Sequence, residues 1–473
     1  LLVDRMDTNR TLISLLRYPD GREVLLSTIT NAWYFIHSNV LAYEFVNFAT
    51  KGLFIGARQV FLSTHIDDIF LANDLWNSAT NATDAALSYR LTAMDIFNAR
   101  NQVRQFQNRY STAKQFDLDL AFNGQGVNAN NPSLTERVSP VFPFFNLAEL
   151  NRTQQRLWAI PTLTPPLSLF PSPPNNVMVF DDLVTSIINF KNDFRFISHT
   201  FTHRTMNASN GVGYAESVFE IAENRKTWDS LQLPKRAKND PVLVTGNHSG
   251  LLEDNNTEFD ISDDTPYPAG KNNAFMQAAQ DLGVRFLASD ASQVNQALEQ
   301  RVPGFDIFYE RHINAGKDPC MIPGAICAPR NFQEIMQAEA DIAIRHMISY
   351  RMWPHFFHQT NMRNYDGRGS TLIFKWLYAV VGEYEKYMTL PIKNPEYFEI
   401  SKKTENRIGY RDVAIKGVWD VTKNIVTLSA AKSVDKVFVT GIKGGKLYGG
   451  QRLLEVDLST QSKEMVVDRA LSR

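Results

Sequence analysis

Two histidines stand four residues apart in the string FRFISHTFTH, as His199 and His203. A short strand delivers the first, and one helical turn places the second on the same face. Imidazoles so arranged can share a metal ion, which is why His-x-x-x-His recurs in zinc sites. Alone, the spacing fits equally a hydrogen-bonded histidine pair at a strand end. Asp67 and Asp68 follow an apolar strand in VFLSTHIDD, which puts two carboxylates at the mouth of a sheet or barrel, where α/β proteins bind ligands. One carboxylate could complete a site of two histidines and one acid, and the other could act as a base beside it. Asp181 and Asp182 end a second such string, VMVFDD. Spacing does not choose between the two pairs, since an Asp before a helix also serves as its N-cap. His358 closes a short aromatic strand in WPHFFHQTN, fitting a general acid or a core histidine bonded to backbone.

These side chains need a scaffold that brings strand ends together. The β-branched runs Val177–Phe180, Phe194–Ile197, Val242–Thr245 and Val284–Ala288 alternate with helical patterns at Leu183–Phe190, Tyr214–Arg225 and Ala274–Leu282. Such alternation predicts parallel βαβ units, hence a sheet or a barrel. Upstream, an apolar helix is expected over Ala32–Thr50, a strand over Val60–Ser63, and a further helix over Asp84–Arg109. The six prolines of Pro161–Pro174 make an extended connector, and Asn123–Pro132 a polar loop. Beyond Pro395, the pairs Val413/Ile415, Val437/Val439 and Leu454/Val456 alternate with polar residues and Gly-rich turns, the pattern of a small all-β module.

The strings STHIDDIF, FISHTFTH and FFHQTN occur in the order found in NodB-like polysaccharide deacetylases. The chain resembles most the fungal galactosaminogalactan deacetylases and the related bacterial Pel-polysaccharide deacetylases. The frame of the resemblance covers about residues 15–390. It implies a distorted (β/α) barrel of the NodB type over residues 1–393, with residues 394–473 as an accessory β-sandwich-like module. It further implies Asp67 as catalytic base, His358 as catalytic acid, and Asp68, His199 and His203 as ligands of zinc or another divalent metal. By the same resemblance Arg330 steadies Asp67, and Asp290 contacts substrate. The family's usual Thr-Phe before the acidic pair is His65-Ile66 here. The implied activity removes acetyl groups from N-acetylhexosamine residues, of the N-acetylgalactosamine type, in an exopolysaccharide or cell-wall glycan. Trp158, Tyr365 and Trp376 are candidate platforms for sugar rings.

Two other readings stay open. His65-x-Asp67-Asp68 is similar to the His-Pro-Asp-Asp signature of small-molecule zinc N-deacetylases, in which the first His and second Asp bind metal. A catalytically silent carbohydrate-binding surface protein on the same fold is the other.

Composition narrows the partners. The 473 residues carry 49 Lys+Arg against 50 Asp+Glu, a net charge of −1, so no nucleic acid is expected, because neutralising phosphates takes a basic surface. No apolar run is long enough to span a bilayer; the best, Thr371–Tyr384, is interrupted by Lys375. The substrate class implies a secreted or cell-surface protein. Leu1 lacks the features of a signal peptide, which places any such segment upstream of this chain. Cys320 and Cys327 could close a small disulfide loop or stay as thiols. Glycosylation sequons occur at Asn9, Asn81, Asn151, Asn207, Asn247 and Asn255.

Overall fold

The computed structural model describes residues 2–3, 11–32, 35–77, 79–80, 82–128, 181–235, 240–251, 257–259, 266–268, 272–290, 300–302, 305–312, 331–411, 413–459 and 462–468. Val177–Phe180, Pro161–Pro174, Trp158, Arg330, Cys320, Cys327 and the sequons at Asn9, Asn81, Asn151 and Asn255 lie outside those residues.

Seven strands build the centre: β1 (Thr64–Asp67), β2 (Asp119–Phe122), β3 (Arg195–Ser198), β4 (Val242–Leu243), β5 (Phe286–Asp290), β6 (Phe305–His312) and β7 (His355–His358). Every pairing between ring neighbours is parallel, running β1–β2–β3–β4–β5–β6–β7 and back to β1. The chain of pairings therefore closes on itself, as a distorted (β/α) barrel requires. A short antiparallel strand, Gln300–Val302, pairs with the start of β6.

Helices follow the strands because a parallel neighbour can be reached only by a crossover. Among the described residues the α-helices are, in chain order, α1 (Ile36–Ala49), α2 (Ala93–Arg109), α3 (Asp182–Phe190), α4 (Tyr214–Ser230), α5 (Asn273–Asp281), α6 (Phe332–Ile348), α7 (Leu372–Tyr384) and α8 (Tyr397–Arg411). Helix α2 starts later than its periodicity predicts. Residues 82–89 form a strand hydrogen-bonded to Asn73–Asn77, and the helix begins only after a capping box made by Thr92 and Asp95. Pairing with a neighbouring strand overrides local spacing there. The best apolar run becomes α7, whose Trp376, Leu377 and Val380 are fully buried. Trp376 is thus a core residue and no platform for a sugar. Among the described residues no helix is long and apolar enough to cross a membrane.

Period-2 alternation divides the strand residues between two environments. Leu118, Leu120, Phe122, Phe194 and Phe196 face outward into the main core with α2, α3, α6 and α7. Ala121, Ile197, Val242, Val244, Phe286 and Ala288 face inward and pack with Tyr397 and Ile400 of α8. The segment leading into α8 is tied beneath the strand starts, where Ser63 Oγ donates to the Pro395 carbonyl at 3.0 Å and Arg195 Nη1 to that of Asn394 at 2.9 Å. Helix α8 therefore plugs the N-terminal end of the barrel, opposite the strand ends that carry Asp67 and His358.

The C-terminal strands β8 (Ile415–Asp420), β9 (Ile425–Ala430), β10 (Val434–Thr440), β11 (Lys446–Tyr448), β12 (Gln451–Leu458) and β13 (Ser462–Val466) are all antiparallel. They enclose a core of Val426, Leu428, Val437, Val439, Val456 and Leu458. Between residue 393 and the first of these strands lies α8. Strand β10 also takes Phe54–Ile55 from the start of the chain as an antiparallel neighbour.

Candidate active site at the C-terminal end of the barrel

Inward alternation along the odd strands carries Asp67 on β1, His199 just past β3, Asp290 at the end of β5 and His358 at the end of β7 to one end of the lumen, with His65 two residues below Asp67 on the same face. Asp67 and His358 are direct neighbours in register. Asp68 turns into the same space through a left-handed backbone, with φ of 62°. The loop after β3 needs two more such residues, Thr200 at φ 62° and His203 at φ 61°. A β-branched residue in that region is unusual and costs of order 1–3 kcal/mol, which surrounding contacts must offset. Those contacts are present. Asn123 Nδ2 donates to the Thr200 carbonyl at 3.0 Å and also to that of His199. Glu220 on α4, itself buried, accepts from the Thr202 amide at 2.8 Å and from its hydroxyl. Gly246 lies so close that a Cβ there would stand 2.5 Å from the His203 carbonyl oxygen.

Asp68, His199 and His203 each offer one ligand atom, and these atoms all lie within 4.8 Å of one another. His199 Nε2 is 3.6 Å and His203 Nε2 3.5 Å from Asp68 Oδ1. His199 Nδ1 donates to the Val244 carbonyl at 3.2 Å, which leaves its Nε2 as a lone pair facing the acid. Burial, against the pull of the Asp67 charge, pushes the His199 pKa down to about 4, so the ring is neutral at physiological pH. Neutral imidazole is the form that binds a metal. Asp68 Oδ2 accepts from Asn73 Nδ2 at 2.9 Å, while Oδ1 has no hydrogen-bond partner despite full burial, and neither has His199 Nε2. Two orphaned acceptors facing each other in a buried site are what a cation satisfies. The donor set therefore fits a divalent metal.

Asp67 stands beside this group. Its Oδ1 lies 2.8 Å from His65 Nε2 and its Oδ2 3.9 Å from His199 Nε2. Burial alone would raise the Asp67 pKa; the imidazoles of His65 and His199 overcome it and hold the carboxyl well below the usual carboxylate range. Asp68 is lowered too, against burial, by His203, His199 and His358. The base-competent form, ionised carboxylate, is thus the resting state.

The structure brings Asp67, Asp68, His199, His203, His358 and Asp290 to one end of the barrel, with Asp290 buried. Asp181 goes elsewhere. Its Oδ1 caps α3 by accepting from the Val184 amide at 2.9 Å, and its Oδ2 meets Arg90 at 2.7 Å. His65 does not enter the group of ligand atoms that could share an ion; it faces Asp67. Tyr365 is exposed on the loop after β7, consistent with a surface ring. Of the sequons, Asn207 is fully buried, with Oδ1 accepting from the Gly250 amide, so it is closed to glycosylation. Sequence reasoning overlooked Asn73 and Glu220, which hold a ligand and its loop. Neither carries a local motif, since they meet the site only through packing.

No curated protein sequence matches the chain. Among solved structures, the crystal structure of Agd3, described as a novel carbohydrate deacetylase, superimposes with a TM-score of 0.71 at 19% identity, covering 97% of this chain and 72% of that one. A 4-α-glucanotransferase from Thermococcus litoralis aligns over 74% of this chain and 41% of its own, at 9% identity and a TM-score of only 0.32. The first likeness establishes the fold. The model of the Agd3 deacetylase domain matches residues 62–414, from the strand that delivers Asp67 and Asp68 to the end of the helix that plugs the barrel. With three quarters of its length so matched, the chain belongs to the Agd3 deacetylase domain family.

Proposed function

We propose that the chain is a metal-dependent polysaccharide N-deacetylase acting on N-acetylhexosamine residues, of the N-acetylgalactosamine type, in an exported or surface glycan. The observation that carries this reading is the facing pair of buried acceptors, Asp68 Oδ1 and His199 Nε2, with His203 alongside and an ionised Asp67 next to them. Asp68, His199 and His203 hold the cation, for which zinc is the best match to two imidazoles and a carboxylate. When bound, it acidifies water towards a pKa of ~7 and polarises the amide carbonyl.

The chain's own residues account for the proton movements. Asp67 accepts the proton of the attacking water as its oxygen adds to the acetamide carbonyl carbon. The C–N bond then breaks, and His358, across the register from Asp67, donates a proton to the leaving amine. The products are acetate and an amino sugar. In this reading Asp290 and the exposed Tyr365 contact the sugar chain, and both the Asp290 role and that of Arg330 in steadying Asp67 come from family resemblance alone. The deacetylase unit expected over residues 1–393 takes in α8 as its plug in this reading, and the antiparallel strands that follow form the accessory module. The protein works outside the cell or at its surface.

The test measures acetate release from partially acetylated galactosamine and glucosamine oligomers together with bound metal. Asp67→Asn is expected to lower kcat by about 10²–10⁴-fold while keeping the metal, the usual scale for a lost acid–base group. His203→Ala is expected to lose both. Undiminished release by both variants contradicts the assignment, and glycan binding with no release by zinc-loaded wild type favours the silent binding protein.

A further inference from the structure

We propose that His65 is a positioning residue for Asp67, fixing which carboxylate oxygen takes the proton. The inference rests on the deacetylase reading of the same site and adds to it a residue outside the metal triad. His65 precedes Asp67 by two positions on β1, so both side chains point into the lumen. Its ring is fully buried, with centroids 5.5 Å from Phe356 on β7 and 5.0 Å from Tyr397 of the barrel plug. Those two rings leave the imidazole little freedom to rotate. From that fixed place Nε2 lies 2.8 Å from Asp67 Oδ1.

The consequence is an asymmetry between the two oxygens of Asp67. Oδ1 is engaged by His65, and Oδ2 is the one turned towards His199 and the metal group, 3.9 Å from its Nε2. Asp68 shows the same division, with Oδ2 held by Asn73 and Oδ1 facing the histidines. Each carboxylate thus has one oxygen in close contact with a neighbour outside the metal triad and one turned towards it. A carboxylate at a strand end otherwise rotates about its last torsion, which is broad and two-fold. A base that must meet a water within hydrogen-bond reach gains from having that rotation removed.

Steady-state kinetics of acetate release on acetylated galactosamine oligomers, with zinc content measured in parallel, tests the role. His65→Phe keeps ring packing but has no donor; kcat is expected to fall about 10–100-fold, the scale for lost supporting partners, with KM and bound zinc unchanged. His65→Gln retains an N–H donor and is expected to recover part of that loss. A merely structural role predicts instead that KM, zinc content and kcat change together, without rescue by Gln. Should His65→Phe fail to fold, proton NMR of wild type gives a second readout. The ring N–H of His65 is expected downfield and shifted upfield in Asp67→Asn, and its absence overturns the assignment. Wild type that releases acetate normally while His65→Phe keeps full kcat overturns the role of His65 alone. Zinc-loaded wild type that releases no acetate from any oligomer overturns the deacetylase reading, and the role with it.

Discussion

The two ends of the barrel both bury charged side chains, and they do so in opposite ways. At the plugged end, Asp119 and Arg195 are register neighbours on β2 and β3 and form an ion pair at 2.5 Å. Arg195 also donates to the carbonyls of Asp117 and Asn394. Tyr397 and Ile400 of α8 seal that end with apolar surface. At the C-terminal end, Asp68 Oδ1 and His199 Nε2 are buried without hydrogen-bond partners, and Asp68, Thr200 and His203 adopt left-handed backbone conformations. At the plugged end the buried acid meets a buried base directly. The other holds unmatched acceptors and strained backbone, which lower stability unless a ligand binds. A barrel can keep such an end because its closed hydrogen-bonded ring and its core fix the loops above it.

The contrast can be broken from below. Asp119→Ala leaves the Arg195 charge buried without its acid and is expected to cost about 3–5 kcal/mol, read from urea unfolding. Replacing both members, as Asp119→Val with Arg195→Met, is expected to recover much of that loss. Asp68→Asn at the C-terminal end, measured without metal, is expected to leave stability unchanged or raised. Equal losses at both ends would remove the distinction.

A smaller effect sharpens the account of the C-terminal end. Asn73→Ala frees Asp68 Oδ2 and is expected to weaken metal binding about 10–100-fold, measured by competition with a chromophoric chelator, with the melting temperature of the metal-free protein unchanged. The smallest effect concerns Asp240, just before β4, whose pKa is pushed up to about 7 by burial. The folded state then holds a proton that the unfolded chain releases near pH 4. Its contribution is present below that pH and is lost as pH rises towards 7. Asp240→Asn is expected to flatten the decline of melting temperature between about pH 4 and pH 7.

Much of the fold was legible because its signal is local. The alternation of β-branched runs with helical patterns predicts parallel βαβ units, and Thr92 with Asp95 spells out the start of α2, although the periodicity before it predicts helix as well. Residues 82–89 became a strand because Asn73–Asn77 supplied hydrogen bonds that no window of sequence displays. Trp376 shows the same limit, since an aromatic that could stack on sugars and one that fills a core differ only in what surrounds them.

By itself the sequence determined which chemistry was on offer. Two imidazoles four apart and two adjacent carboxylates are the right donors for a divalent cation and a base, and their types do not depend on folding. Spacing left open which acids join them, the resemblance implied Asp67–Asp68, and the tertiary structure shows the physical ground for that choice. Asp67–Asp68 and Asp181–Asp182 end similar strings, but Asp181 is spent on the first turn of α3 and on Arg90, whereas Asp68 is carried to within 3.6 Å of His199. The physical reason is that ring closure brings the ends of β1, β3 and β7 together across a long stretch of chain. Metal binding is a property of that distance, and spacing along the chain does not encode it.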